Sequence, residues 1–500
     1  MPYIFPLEEL FMMKHRIFGL MTALVLMCAL SVSAAAFSDV PASHWAAGDI
    51  ARCAEMGYFK GESADRFGLG KPMTRAGFVT ALGRFFGWEE TSLTAPYTDV
   101  SAESWYSGAV NAAYANGAVT AQSAAFRPSD PITREEMTVM LIRALGYGPI
   151  SGLAQEADLP FTDVTTNRGY LTLAYDFGLV SGTSSTTFSP DAAATRQQAA
   201  VILMRLYDKL QSPVKAELGI VTDWGETSSL AGFDVIAARA QTLSASGKKA
   251  ILSGTMVKKD LAAVRDAAGR RPVLLGVSAK ESVLKLSPTA IAQVLADAVE
   301  EGYYDGLYLN IPAVTAPNKD ALTALVQAVD AALGARRFYL AVEAPALTGT
   351  SYEGYDYPAL SQSADTLVVR PAQIVEKAAG FTAAPKQATE ECWYALRSLR
   401  QLGNVTLLLD GQGTAWRSGK AGATFTGTEI SKALESGAEE IWSGRYDCSC
   451  YENGGAAVWY LSADAAAQRM QLLNLMGAAS YALTGAEDVY TGTLAGLNLN

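Results

Sequence analysis

Histidine and cysteine are scarce in this chain, two and five among 500 residues. His15 and Cys28 belong to an N-terminal leader, so the remainder keeps His44, Cys53, Cys392, Cys448 and Cys450. Four thiols in so long a chain make no stapled framework, and stability must come from hydrophobic cores. A bridge from Cys392 to Cys448 or Cys450 stays open. A single histidine remote from the C-terminal cysteines argues against a zinc site, and neither metal nor cofactor is expected. Positive charge is also in deficit. With 39 Lys+Arg against 50 Asp+Glu, the net charge of −11 gives no overall pull toward a phosphate backbone, and no nucleic-acid partner is expected. The apolar run from Ile17 to Leu30 is too short for a comfortable membrane span.

That run has another use. Lys14, His15 and Arg16 precede it, and the small residues Val32-Ser33-Ala34 follow, the pattern of an export signal. Residues 1–36 are therefore read as a cleaved signal peptide, with Met12 or Met13 as an alternative start and no membrane association after cleavage. The rest is globular in composition, with 50% hydrophobic and 18% charged residues, and too long for one core.

A cassette recurs three times in the first 210 residues. An aromatic-Ser/Thr-Asp-Val opening (Phe37-Ser38-Asp39-Val40, Tyr97-Thr98-Asp99-Val100, Phe161-Thr162-Asp163-Val164) leads to a Phe followed by Thr-Arg: Phe67 and Thr74-Arg75, Phe126 and Thr133-Arg134, Phe188 and Thr195-Arg196. Repeats of about 60 residues imply an array of like modules, at 37–91, 92–155 and 156–212. Within each, an amphipathic stretch ending at a glycine (Gly57, Gly117) predicts one helix, and the threonine predicts the N-cap of a second.

These repeats resemble S-layer homology domains, through Thr74-Arg75-Ala76-Gly77, Thr133-Arg134-Glu135-Glu136, Thr195-Arg196-Gln197-Gln198 and the early Trp45 and Trp105. The resemblance implies a helical pseudo-threefold trimer that binds secondary cell-wall polymer, often with pyruvylated sugars, on a bacterial cell surface. A guanidinium beside the free amides of a helix N-terminus suits a sugar carboxylate, so Arg75, Arg134 and Arg196 are the candidate binding residues. The alternative is that each arginine ties its own loop to its helix. For Trp45 and Trp105, packing and sugar stacking are both open. The third repeat is three residues shorter between its Asp and Gly, and Gly169-Tyr170 replaces the tryptophan, which predicts a weakened groove there.

From Val214 the texture changes to short apolar runs between helical stretches. Candidate strands at Leu218–Thr222, Val273–Val277, Gly306–Ile311, Phe338–Val342, Thr366–Val369, Val405–Leu409 and Gly477–Ala482 predict a (β/α)8 TIM-like barrel over 213–500, making the protein multidomain. The run Asp305-Gly306-Leu307-Tyr308-Leu309-Asn310-Ile311-Pro312 resembles the Asp-Gly-x-Asp-x-Asp-x-Glu strand of family 18 glycoside hydrolases. Val458-Trp459-Tyr460 and Gly485-Ala486-Glu487-Asp488 extend the likeness. In that family the motif's Glu is the acid, and here its place is taken by Pro312, which has no proton to donate. The resemblance thus implies a degenerate, non-catalytic glycan-binding barrel. Asp305, Tyr308, Asn310, Glu343, Trp224 and Tyr481 are its candidate cleft, and peptidoglycan or a chitin-like glycan its candidate ligand. Two alternatives remain: a wall-associated glycoside hydrolase acting on N-acetylglucosamine-containing glycans through relocated carboxylates such as Glu343 and Asp410, and a protein-interaction scaffold.

Overall fold

The computed structural model describes residues 37–89, 91–225, 228–230, 232–373, 387–417 and 420–499, so the expected signal peptide lies outside the described residues. The chain divides into two compact units, Met1–Gln211 and Ser212–Asn500.

The first unit is helical: α1 (Ala47–Glu55), α2 (Arg75–Phe86), α3 (Ser107–Ala115), α4 (Arg134–Ala144), α5 (Gly148–Ala154), α6 (Arg168–Asp176) and α7 (Arg196–Leu210). Each repeat gives a short helix and a longer one, with α5 an addition between the second and third repeats. Gly57, Gly117 and Gly178 follow the short helices at φ of 74°, 70° and 67°, where a side chain would be strained. The threonines start the long helices. Thr74 Oγ1 accepts the Gly77 N–H at 3.1 Å, and Thr133 and Glu136 cap each other's amides reciprocally.

The repeats close on one another through the residue before each threonine. The Met73 N–H donates to Ala194 O, Ala194 N–H to Ile132 O, and Ile132 N–H to Met73 O, each at 2.8 Å. All three side chains are buried. A ring of this kind leaves each repeat dependent on both neighbours for backbone partners, so the helical trimer expected from the sequence is the folding unit.

The second unit contains β1 (Lys215–Val221), β2 (Val235–Ser246), β3 (Lys249–Gly254), β4 (Val273–Ala279), β5 (Gly306–Asn310), β6 (Arg337–Glu343), β7 (Thr366–Arg370) and β8 (Val405–Asp410). There follow β9 (Gly413–Arg417), β10 (Lys420–Phe425), β11 (Ile441–Ser443), β12 (Cys448–Asn453), β13 (Ala456–Tyr460) and β14 (Ser480–Thr484). Eight of them run parallel in the order β1-β14-β8-β7-β6-β5-β4-β2, and pairing of β1 with β2 closes the barrel. Helices pack outside; the one at Lys319–Leu333 buries Leu322, Leu325, Val326, Val329 and Leu333, an apolar stripe at helical spacing. Inside, Leu218, Ile220, Val235, Ala237, Leu274, Tyr308, Tyr339, Ala341, Val368, Leu408 and Ala482 form one cluster, a packed core and not a pore.

Three features depart from the sequence reading. Strand β2 was not among the candidates. An antiparallel five-stranded sheet, β10-β9-β13-β12-β11, is inserted between β8 and β14. The last strand starts three residues late, because Gly477 at φ 69° caps the helix Ala463–Met476. Cys53, Cys392, Cys448 and Cys450 are buried free thiols, so the open question of a bridge resolves to none.

Candidate functional site

In the helical unit, the cassette's Asp, Phe and Arg act on one another across repeats. The Asp39 carboxylate accepts the amides of Phe67 (2.7 Å), Gly68 (2.7 Å) and Leu69 (2.9 Å). Asp99 does the same for Phe126 and Arg127, and Asp163 for Phe188 and Ser189. The residue after each Phe has positive φ (Gly68 87°, Arg127 60°, Ser189 59°), and the carboxylate holds that turn in place. Burial pushes the Asp39 carboxyl up, but the three amides outweigh it and bring it to about 2.

The loops so fixed are gripped by the arginine of the preceding repeat. Arg75 Nε donates to Phe126 O (2.7 Å), Arg134 Nε to Phe188 O (2.9 Å) and Arg196 Nε to Phe67 O (2.8 Å), a closed cycle. Each guanidinium also lies over the ring of the same Phe, at 5.0, 4.5 and 4.9 Å. The alternative in which each arginine ties its own loop is thus corrected: the partner loop belongs to the next repeat. Burial lowers all three guanidinium pKa values.

Grooves open above these clamps. One, of about 280 Å³, is lined by Arg134, Phe188, Gln198, Arg205 and Trp45. A second, of about 240 Å³, is lined by Arg75, Phe126, Glu136, Arg143 and Asn167. Arg205 and Arg143 each stand nine residues after a cassette arginine, as does Arg84, a periodicity that the sequence reading passed over. Trp45 and Trp105 are 63% and 71% exposed, so neither is a core residue. In the Arg75 groove the place that Trp45 takes beside Arg134 is taken by Asn167, the N-cap of the third repeat's short helix, whereas Trp45 stands one residue before the N-cap of its own. The third repeat's departure from tryptophan thus falls in the Arg75 groove.

In the barrel the six candidates do not converge. Asp305 lies before β5, at the end opposite the mouth, where its Oδ2 accepts the Val273 N–H at 2.7 Å; Asp365 does the same for Phe338. Tyr308 is buried inside the barrel core. Tyr481 is also buried, and its hydroxyl donates to Leu497 O at 3.3 Å, beneath the C-terminal helix; the inward residue of β14 is its neighbour Ala482. These three are corrected out of the cleft. Trp224, Asn310 and Glu343 do follow or end strands at the C-terminal mouth. Trp416 is buried in the inserted sheet.

Glu343 at the mouth is committed. Its Oε1 accepts from Arg370 Nη1 at 2.6 Å, a pair set by the β6–β7 register, and both side chains are largely buried. Burial lowers the Arg370 pKa, but Glu343 more than compensates and holds it above the ordinary value. Tyr357 donates to Glu343 O (2.8 Å) and Tyr355 to Ile311 O (3.0 Å), bracing the ends of β6 and β5. Asp410 accepts from Thr484 Oγ1 at 2.7 Å. Glu487, quoted in the sequence for its motif alone, proves buried at the mouth: its Oε1 accepts Thr222 N–H, Thr222 Oγ1–H and Asp223 N–H, while Oε2 has no partner among the described residues. Burial raises its carboxyl.

A pseudo-threefold helical unit with charged grooves and a parallel barrel define a modular protein of two units. Residues 36–78, 96–138 and 160–200 each match the S-layer homology domain, so the chain carries three such domains and is a cell-surface or cell-wall protein. It is similar to an amylopullulanase of Thermoanaerobacterium thermosulfurigenes, 30% identical over 35% of this chain and 10% of that one. It is also similar to the middle cell wall protein of Brevibacillus brevis, 33% identical over 20% of this chain and 10% of that one. The chain thus spans about a tenth of these curated relatives. The barrel is similar to a chitinase of Chromobacterium violaceum, with 17% identity, coverage of 57% of this chain and 100% of that one, and a TM-score of 0.47. At that level the likeness says nothing about chemistry. No described helix is long and apolar enough to cross a membrane.

Proposed function

We propose that the chain is held on the cell wall by secondary cell-wall polymer seated in the inter-repeat grooves, and that its barrel is a glycan-binding body without glycosidase activity. The observation that carries the anchoring is Arg134 at the floor of a groove flanked by exposed Trp45: a cation for an acidic substituent and a flat face for a sugar ring. A pyruvylated sugar, whose ketal carries a carboxylate, has the matching chemistry. The test is co-sedimentation of the exported chain with purified walls before and after extraction of the secondary polymer. Binding that is lost on extraction supports the reading, and equal binding to stripped walls refutes it.

For the barrel, Pro312 offers no proton and Glu343 is occupied by its ion pair with Arg370, so neither is placed as the general acid that glycoside hydrolysis needs. The mouth keeps buried acceptors in Asn310 Oδ1 and Glu487 Oε2 that have no partner among the described residues, which favours a polar ligand. Incubation with peptidoglycan and chitin oligosaccharides should release no new reducing ends. Turnover abolished by Glu343→Gln would restore the hydrolase reading.

A further inference from the structure

The three arginine clamps are built on one plan but differ at the third residue of the long helix that borders each. Beside Arg75 that residue is Glu136; beside Arg134 it is Gln198; beside Arg196, by the same threefold step, it is Gly77. Glu136 Oε1 lies 2.9 Å from Arg75 Nη1, with side chains 26% and 11% exposed, and also contacts Arg127. Gln198 is neutral and spends its Oε1 on the Thr195 N–H at 2.9 Å. Among the described residues no carboxylate forms an ion pair with Arg134 or Arg196. The Arg75 groove also has Asn167 where the Arg134 groove has Trp45.

Building on the wall-polymer reading, we infer that Glu136 occupies, within its own groove, the position that an incoming sugar carboxylate takes above Arg134 and Arg196. The chain then has two acidic-sugar sites, and the Arg75 groove is closed by an internal anion. A carboxylate entering there must displace a partly buried ion pair and leave Glu136 facing the ligand's own negative charge. The other cations of that groove do not reopen it. Arg127 shares Glu136 and lies 3.9 Å from Asp130, and Arg143 is engaged with the Tyr170 ring and hydroxyl. Gln198 and Gly77, which carry no charge at that position, therefore leave their arginines open to an incoming carboxylate.

Calorimetric titration of the full chain with a monosaccharide glycoside bearing a pyruvate ketal tests this, its methyl ester serving as the uncharged control. Two equivalents of acid should bind and the ester should not. Glu136→Gln, which keeps the helix cap as Gln198 does at Thr195, should add a third and weaker site, weaker because Asn167 offers no stacking face. Three equivalents in the unaltered chain, or two in both chains, overturn the inference while leaving the wall-polymer reading intact. Equal binding of the ester removes carboxylate recognition, and no binding of either sugar overturns the inference and the acidic-sugar reading together.

Discussion

Replacing Arg134 by Met keeps most of the apolar stem and removes the guanidinium. Two bonds go, to Phe188 O and Ser181 O, each at 2.9 Å, together with the stacking over Phe188 at 4.5 Å. A bond from a charged donor to a half-buried carbonyl is worth roughly 1.5–3 kcal/mol. Ser181 is exposed, so water replaces that partner and its share falls to about 0.5 kcal/mol, while the ring contact adds about 0.5–1 kcal/mol. The sum is about 3 kcal/mol. In a unit of this size that corresponds to a fall in melting temperature of roughly 6–12 °C. Arg134→Lys keeps the charge but not the fork that reaches both carbonyls, and should lose about half as much. Differential scanning calorimetry of the full chain gives the readout, because the shift must fall on the helical unit's transition and leave the barrel's in place. A loss below about 1 kcal/mol, or one that appears in the barrel transition, refutes the inter-repeat clamp.

The aspartates make the helical unit acid-sensitive. Asp39, Asp99 and Asp163 are all held below the ordinary carboxyl value, so the stability they confer is present above the unfolded value near 4 and is lost as pH falls toward 2; circular dichroism against pH should show the helical unit unfolding in that window. Asp39→Asn should cost about 1 kcal/mol and blunt the acid transition, since a neutral amide still accepts some of the three N–H bonds. Glu487 has the opposite sign. Its raised pKa favours the fold below the unfolded value and disfavours it as pH rises through the folded value, so Glu487→Gln should raise the barrel's melting temperature at pH 8 and leave it unchanged at pH 4. Glu343→Ala strands a buried Arg370 and should lower barrel stability by about 3 kcal/mol in urea unfolding.

Repetition made the helical unit legible. Three Thr-Arg pairs at a fixed distance from a Phe located the caps and the groove arginines without coordinates. What they could not reveal was that each arginine serves the next repeat, because sequence spacing does not say which copy a side chain reaches. The recurring Asp was visible but looked like part of an opening motif; its pairing with a left-handed residue after Phe, at a residue of positive φ that is Gly, Arg or Ser, required the backbone. In the barrel, continuous apolar runs revealed most of the parallel strands. Val235–Ser246 was missed because its alanines and polar residues carry neither a clean twofold nor a helical period. The inserted sheet was missed because its strands are short and a helix, Gly427–Glu435, separates β10 from β11. Asp305 failed as a cleft candidate because it precedes its strand, at the far end of the barrel, and Tyr308 because it sits in the middle of the packed core; at Tyr481 a one-residue difference turns the side chain to the outer face.

If the grooves are the wall-binding surface, Trp45 and Trp105 separate binding from folding better than the buried arginines do. Both indoles are more than half exposed, so the double replacement Trp45→Ala and Trp105→Ala should leave the melting temperature of the helical unit unchanged. Co-sedimentation of this variant with walls that retain their secondary polymer should fall at least tenfold in affinity. Undiminished binding by the folded variant would contradict the assignment of the grooves as the anchoring site.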